Sequence, residues 1–134
     1  MFVDASAMVA VLTGEQEDVA LFRCLEAADR PITSALAIFE TASAVCRKKG
    51  LSVEAAAREV RELLEQACIR VVALTDTEAH GALAAYARYG KGRGHPAQLN
   101  MGDCFAYACA RAHDVPLLFI GNDFSRTDIP SALA

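Results

Sequence analysis

Apolar and polar residues follow two patterns along the chain, short unbroken apolar runs and longer stretches with helical spacing. The apolar runs predict four buried strands, at 1–3, 31–33, 69–74 and 115–120. The helical stretches predict six helices, at 5–12, 15–28, 35–49, 53–67, 76–89 and 101–113. Strands that alternate with helices indicate βαβ units. We therefore predict an α/β domain with a largely parallel central sheet and helices on both faces.

Several of these helices begin at a side chain that can accept a hydrogen bond from the first turn. The predicted capping residues are Ser34, Ser52, Thr75 or Asp76, and Asn100. Few residues separate the helices at 35–49 and 53–67, so these two helices are expected to form an antiparallel pair.

Two helices have a stripe of mostly apolar residues that predicts their buried face. In the helix at 15–28 the stripe consists of Val19, Phe22, Cys24 and Leu25. In the helix at 35–49 it consists of Leu36, Phe39, Ser43 and Cys46. Glu40 borders this second stripe, and a carboxylate is costly to bury there unless it is paired or binds a metal.

Composition narrows the class of protein. The 134 residues are 54% hydrophobic and 22% charged, which suits one folded domain spanning 1–134 and argues against disorder. No apolar run reaches the roughly 18 residues of a membrane-spanning helix, and Asp4 interrupts any signal peptide, so we expect a cytoplasmic protein. The net charge of −4 argues against broad non-specific binding of nucleic acid, although a local basic patch could still bind it.

The five cysteines are scattered and include no C-x-x-C pair, and the three histidines are isolated from one another. This spacing does not predict a zinc site. The cysteines are instead predicted to be small buried hydrophobic residues in a reducing compartment: Cys24, Cys46, Cys68, Cys104 and Cys109.

Three acidic residues stand where a metal site could form. Asp4 follows the first strand, at the carboxyl edge where open α/β sheets place their ligand sites. Glu40 lies in the middle of a helix, and Asp103 lies in the first turn of another helix, after Asn100. Each also has an ordinary explanation: Asp4 could cap the following helix, Glu40 could be a solvated edge residue, and Asp103 suits the helix dipole.

These residues carry a resemblance to a known family. The opening Val3-Asp4-Ala5-Ser6-Ala7, the mid-helix Glu40 and the stretch Leu99-Asn100-x-Gly102-Asp103-x-x-x-Tyr107-Ala108 resemble the PIN domain, and most closely the VapC toxins of bacterial VapBC toxin–antitoxin pairs. The motifs occur in the family's order along the whole chain. The resemblance implies a ribonuclease that cleaves RNA by in-line attack of water, forms a homodimer and is blocked by a small VapB antitoxin.

The chemistry of the three acids agrees with that activity. Oxygen ligands at one place suit Mg²⁺ or Mn²⁺, with water in the remaining positions. A cation held in this way assists the hydrolysis of phosphodiester bonds. We therefore expect a metal-dependent endoribonuclease in which Asp4 and Asp103 hold the metal and Glu40 belongs to the catalytic set.

The family usually has a fourth acid after the last strand, and the spacing here differs from the common one. Asp123 and Asp128 are both candidates. Asp123 is preferred as the fourth catalytic acid because it lies closer to the strand end. Asp128 is better explained by a turn or an N-cap.

The glycine-rich loop at 90–96 is basic. Lys91 and Arg93, with Arg88 before them, could reach RNA phosphates, or the loop could be a solvated mobile segment. A second basic cluster at 47–49 could also touch RNA, although its position at a helix end needs no such explanation.

Three other classes of protein share part of this pattern. A phosphotransfer receiver domain begins with paired acids and needs a late lysine, but Lys91 is the last lysine here. A haloacid-dehalogenase-like phosphatase needs an Asp two residues after its nucleophile, where this chain has Ser6. The remaining alternative is a non-catalytic PIN-like module that binds RNA or protein, which the loss of a main acid would favour.

Overall fold

The computed structural model describes residues 1–133, so position 134 of the predicted domain lies outside them. Its centre is a sheet of four short strands: β1 Phe2–Val3, β2 Ile32–Ser34, β3 Arg70–Val72 and β4 Leu117–Leu118. Every pairing is parallel, and the strand order is β3-β2-β1-β4. The predicted α/β class with a parallel sheet is confirmed.

Six α-helices alternate with these strands within residues 1–133. They are α1 Ala5–Thr13, α2 Asp18–Ala27, α3 Ala35–Lys49, α4 Val53–Gln66, α5 Asp76–Tyr89 and α6 Met101–Ala112. A 3-10 turn, Phe124–Arg126, follows β4. The predicted caps are confirmed, because each of four side chains accepts a hydrogen bond from a backbone N–H of its helix: Ser34, Ser52, Thr75 and Asn100. No helix in this part of the chain has the length and apolar character needed to cross a membrane.

The predicted start of α2 at residue 15 was wrong. α1 is terminated at Gly14, whose backbone adopts the left-handed conformation with φ of 65°. Glycine adopts this conformation without a steric clash because it has no Cβ. The N–H of Glu15 still bonds back to the carbonyl of Ala10 at 3.0 Å, so a turn separates the two helices. The last strand, Leu117–Leu118, is also shorter than its apolar run at both ends, and Pro116 before it contributes only its carbonyl to the sheet.

The predicted apolar faces of two helices were partly wrong. The buried residues of α3 are Ala37, Thr41 and Val45, whereas Phe39 is 72% exposed. The small residues face inward because α1 and α4 both pack against α3, which leaves its largest side chain outside. In α2 the buried residues are Leu21 and Leu25, and the predicted Val19 and Phe22 are exposed.

The prediction that all five cysteines are buried was wrong for one of them. Cys104 and Cys109 are buried, and Cys24 and Cys46 are partly buried. Cys68 is exposed, because it lies in the turn after α4 with φ of 53°, outside any packed face.

Candidate active site

A cleft of about 510 Å³ opens beside the carboxyl ends of β1 and β4, between α1, α3 and α6. Three acids that are far apart in sequence line it together, namely Asp4, Glu40 and Asp103. The other polar or aromatic side chains that line it are Ser6, Glu15, Phe39, Ser43, Arg47 and Lys48. The carboxyl edge of the sheet therefore brings the three predicted acids to one place.

Asp4 is held rigidly at the start of α1, and only 5% of it is exposed. Its Oδ2 accepts hydrogen bonds from the N–H of Ser6 at 3.0 Å and from the Ser6 hydroxyl at 2.6 Å. The Ser6 Oγ in turn accepts a bond from the N–H of Ile120 at 3.1 Å. This bond connects the segment that follows β4 to the site. Asp4 is thus a helix cap and a cleft residue at the same time. Burial raises the pKa of Asp4, against the lowering effect of its bonds to Ser6.

Asp103 also combines a capping role with a place in the cleft. The Asn100 side chain accepts a bond from the N–H of Asp103 at 2.9 Å, and Asp103 Oδ2 accepts one from the N–H of Asn100 at 3.1 Å. This capping box fixes the first turn of α6. The carboxyl group is only partly buried and still lines the cleft beside Asp4.

Glu40 reaches the site from the middle of α3, where its carboxylate lies against the backbone of Gly102 in α6. A Cβ built on Gly102 would overlap the Glu40 carboxylate, so only glycine allows that carboxylate to lie against the backbone of α6. The role of Gly102 was not predicted from the sequence. A glycine inside the first turn of a helix, next to a candidate acid, is the signal that could have revealed it.

Burial, together with neighbouring negative charge, raises the affinity of the three acids for protons. Burial raises the pKa of Glu40 to about 7, and the charges of Asp4 and Asp103 add to the effect. Burial also raises the pKa of Asp103 to about 7, against the bond from Asn100 and with a further contribution from the charges of Asp4 and Asp123. Without a bound cation, it is therefore energetically costly for all of these carboxyl groups to be ionised at the same time.

Asp123, the preferred fourth acid, lies close enough to act on this cluster. It is exposed at the start of the 3-10 turn, and its side chain makes no capping hydrogen bond. Its negative charge raises the pKa of both Asp4 and Asp103. Its catalytic role stays a prediction.

Asp128 belongs to a different surface. Its carboxylate accepts a bond from the Tyr107 hydroxyl and pairs with Arg111 at 3.0 Å and with Arg88 at 3.4 Å. The bonds with Tyr107 and Arg111 lower the pKa of Asp128 to about 2. Together with the Arg88 pair, they join α5 and α6 to the segment after the 3-10 turn, which gives Asp128 a structural role.

The basic loop does not line the cleft. Arg88 is engaged by Asp128, and the guanidinium of Arg93 lies 5.9 Å from the centre of the Tyr86 ring. Arg88, Lys91 and Arg93 are exposed, and their proposed contact with RNA stays a prediction.

The cations that do line the cleft are Arg47 and Lys48, which the sequence analysis had attributed to the helix end. Lys48 is paired with Glu15 at 3.2 Å. The signal for Arg47 was its spacing of seven residues from Glu40, with Ser43 between them, because this spacing places all three on one face of a helix.

The donor set fits a hard divalent cation. No three His, Cys, Asp or Glu side chains among residues 1–133 are already drawn together as a closed metal-binding group. Mg²⁺ does not need one, since it keeps several waters and usually takes only one or two carboxylates from the protein. Asp4 and Asp103 can supply these oxygens, and a cation would offset the mutual repulsion of the acids.

Without metal, the protein is expected to lose thermal stability as the pH rises from about 5 to 8. Glu40 and Asp103 bind protons in the folded state up to about pH 7, whereas in the unfolded chain they release them near pH 4. Their stabilising protonation is therefore complete below the unfolded pKa and is lost as the pH passes the folded pKa. Melting temperatures in EDTA across this range test the prediction.

Glu40→Gln has no ionisable group at position 40, so its melting temperature in EDTA should fall less steeply with pH than that of the parent. Glu54→Gln, on the exposed start of α4, is the matched control and should keep the parental slope. An unchanged slope in Glu40→Gln would contradict the prediction.

The chain was compared with known proteins. The family model described as PIN domain matches residues 1–130. Ribonuclease VapC28 of Mycobacterium tuberculosis is 39% identical over 133 residues, which cover 99% of this chain and 98% of that protein. Ribonuclease VapC30 of the same organism is 40% identical over 129 residues, which cover 96% of this chain and 95% of that protein.

The fold is also found in solved structures. One of them is the crystal structure of Mycobacterium tuberculosis VapC20, described as a sarcin–ricin loop cleaving toxin. The TM-score is 0.76 at 21% sequence identity, and the match covers 96% of this chain and 95% of that chain.

Proposed function

Because the chain belongs to the VapC family of PIN-domain proteins, we propose that it is a metal-dependent endoribonuclease and the toxin of a type II toxin–antitoxin pair. The observation that carries the proposal is the single cleft lined by Asp4, Glu40 and Asp103. Its relatives are named ribonucleases, which supports the reaction class. The non-catalytic alternative has no observation in its favour, since all three main acids line the cleft.

In this proposal two of the acids bind the cation and a third transfers a proton. Asp4 and Asp103 would hold Mg²⁺ or Mn²⁺ through carboxylate oxygens. When bound, the cation would neutralise charge on the scissile phosphate and promote the attack of water. Glu40, whose carboxylate lines the same cleft, would accept a proton from the attacking water. Asp123 adds a fourth, more exposed carboxylate to the set.

A cleavage assay on a mixed RNA pool tests this function. The purified protein is incubated with RNA in Mg²⁺ or Mn²⁺, and in parallel with single-stranded DNA of matching sequence. Discrete RNA fragments are expected, with no cyclic phosphate at the new ends because water, and not the 2′-hydroxyl, attacks. Cleavage that persists in EDTA, or fragments that end in a cyclic phosphate, would contradict the proposed mechanism.

An antitoxin of the VapB type is the proposed partner, and a groove between α2 and α4 can receive it. Phe22 is 44% exposed and supplies apolar surface there, above the buried Leu25 and Leu63. Glu26 and Glu62 add negative charge to the same groove. An amphipathic helix with basic residues beside its apolar face fits such a groove.

The proposed site of action is the cytoplasm, where the RNA substrate occurs.

A homodimer is also proposed, through the outer face of α5 and α6. Leu83 is 67% exposed and Met101 is 66% exposed, and both line an apolar groove together with Tyr86 and Phe105. Exposed apolar patches of this kind mark protein interfaces. Light scattering at micromolar concentration is expected to give twice the mass of the chain.

The double variant Leu83→Glu, Met101→Glu places charge in this face and should give the mass of one chain. Val53→Glu changes a comparably exposed residue on α4 and should leave the dimer intact. A parent protein that is monomeric at this concentration would rule out the dimer.

A further inference from the structure

Phe39 is an aromatic side chain of the cleft that neither the fold nor the proposed chemistry explains. It precedes Glu40 in α3, lines the cleft and is 72% exposed. The buried face of α3 consists of Ala37, Thr41 and Val45, so Phe39 adds nothing to the core. A large apolar ring in water beside three carboxylates is a surface that suits a flat ligand.

Aromatic rings at the edge of an RNA-binding cleft have a well-defined use. Unpaired bases stack on them, and this contact tolerates any sequence because every base has a flat π-face. Bases inside a duplex are already stacked and paired, so they are not available for it. Phe39 therefore suits an unpaired nucleotide.

The same helix presents a cation further along the cleft. Arg47 follows Phe39 by eight residues, about 12 Å along the helix axis. Its guanidinium bonds only within α3, to the carbonyl and hydroxyl of Ser43 at 3.4 and 3.2 Å, and it forms no ion pair within residues 1–133. Lys48 beside it is already paired with Glu15. Arg47 is thus the cleft cation that is ready to bind a phosphate.

We propose that Phe39 is the stacking platform for an unpaired base next to the scissile phosphate, and that Arg47 binds a phosphate further along the same strand. Stacked nucleotides rise about 3.4 Å each, so the 12 Å between the two residues spans about three to four nucleotides. This inference rests on the proposed ribonuclease function. It makes the exposed edge of α3 the surface that selects and positions single-stranded RNA.

Equilibrium binding of a fluorescent single-stranded RNA in EDTA, which stops cleavage, tests the role of Phe39. Phe39→Ala should weaken binding about 5- to 150-fold, the range measured for the loss of one stacked base. Phe39→Trp should retain the parental affinity or exceed it. Val19→Ala removes a comparably exposed apolar side chain from α2, outside the cleft, and should leave RNA affinity unchanged.

An abasic scan locates the contact on the RNA. The parent protein should bind the RNA that lacks one particular base more weakly than it binds the intact RNA. Phe39→Ala should bind that abasic RNA and the intact RNA with equal affinity. Duplex RNA should bind more weakly than single-stranded RNA to the parent and should not distinguish the parent from Phe39→Ala.

The salt dependence of binding tests Arg47. Each phosphate contact to a single strand contributes about 0.7 to the slope of log affinity against log salt concentration. Arg47→Ala should lower the slope by about this amount, whereas Arg58→Ala, an exposed arginine of α4 outside the cleft, should not change it.

The outcomes separate this inference from the proposed function. If Asp103→Asn cleaves RNA like the parent, the proposed function is overturned. The stacking role is overturned, while the nuclease stands, if Phe39→Ala binds single-stranded RNA like the parent. It is also overturned if removal of the base weakens binding by the same factor in Phe39→Ala and in the parent. If Phe39→Ala alters only the mass in light scattering, Phe39 belongs to a protein interface instead.

Discussion

Replacing Asp103 by Asn is expected to lower the rate of RNA cleavage by about 10³-fold while the protein stays folded. The charge lost is one that would hold the cation, which supplies several kcal/mol of transition-state stabilisation, and about 1.4 kcal/mol corresponds to a factor of ten in rate. The fold survives because the Asn100 side chain can still accept the bond from the N–H of residue 103. An amide oxygen can likewise accept the reciprocal bond from Asn100.

Single-turnover cleavage rates and melting temperatures measure both parts of this prediction. Asp76→Asn is the matched control, since Asp76 also lies in the first turn of a helix but outside the cleft. It should cleave at the parental rate. If Asp103→Ala, which loses the side-chain oxygen that accepts the bond from Asn100, melts far below the parent in EDTA and Mg²⁺ shifts neither protein, Asp103 is a helix cap and not a metal ligand.

Replacing Gly102 by Ala is expected to lower cleavage about 10²-fold and to leave stability unchanged or slightly raised. In an ordinary helix this substitution stabilises by about 0.5–1 kcal/mol, because alanine loses less backbone entropy than glycine. Here the new Cβ would overlap the carboxylate of Glu40. That group is the end of a flexible side chain, so it can turn away and the helices can stay packed. A displacement of about 1 Å at a reacting group can cost about 10²-fold in rate.

The double variant Gly102→Ala, Glu40→Gln separates this mechanism from a general disturbance. If Gly102→Ala acts by displacing Glu40, the double variant should be no less active than Glu40→Gln alone. Gly81→Ala, in α5 and outside the cleft, places its Cβ 3.1 Å from that of Ala108, so its melting temperature is measured beside its cleavage rate, which should stay parental. A parental rate in Gly102→Ala would show that the position of the Glu40 carboxylate does not matter.

Local signals in the sequence were enough to predict the elements of the fold. Ser34, Ser52 and Asn100 cap the helices that they were predicted to cap, because capping depends on residues within one turn. The faces of the helices were harder to predict. The stripe that includes Phe39 was taken as buried, but the packing of α1 and α4 selects the face with the smallest side chains. That choice depends on neighbours that a single helix does not specify.

The acids of the site were predicted from the sequence, and their surroundings were not. Asp4, Glu40 and Asp103 could be chosen because each stands at a recognisable place in a family motif. The need for glycine at position 102 arises only where α3 and α6 meet. The place of Arg47 in the cleft likewise follows from how α3 is rotated against α1.

Reversible chelation is the most direct test of a metal-dependent nuclease site in the carboxylate cleft. The cleavage rate of one labelled RNA is measured for the parent and for Asp103→Asn, first in Mg²⁺, then after excess EDTA, and then after Mg²⁺ is restored. We expect the parent to stop in EDTA and to recover with Mg²⁺, and Asp103→Asn to remain nearly inactive throughout. Parental cleavage that continues in EDTA, or Asp103→Asn that cleaves at the parental rate, would contradict the account.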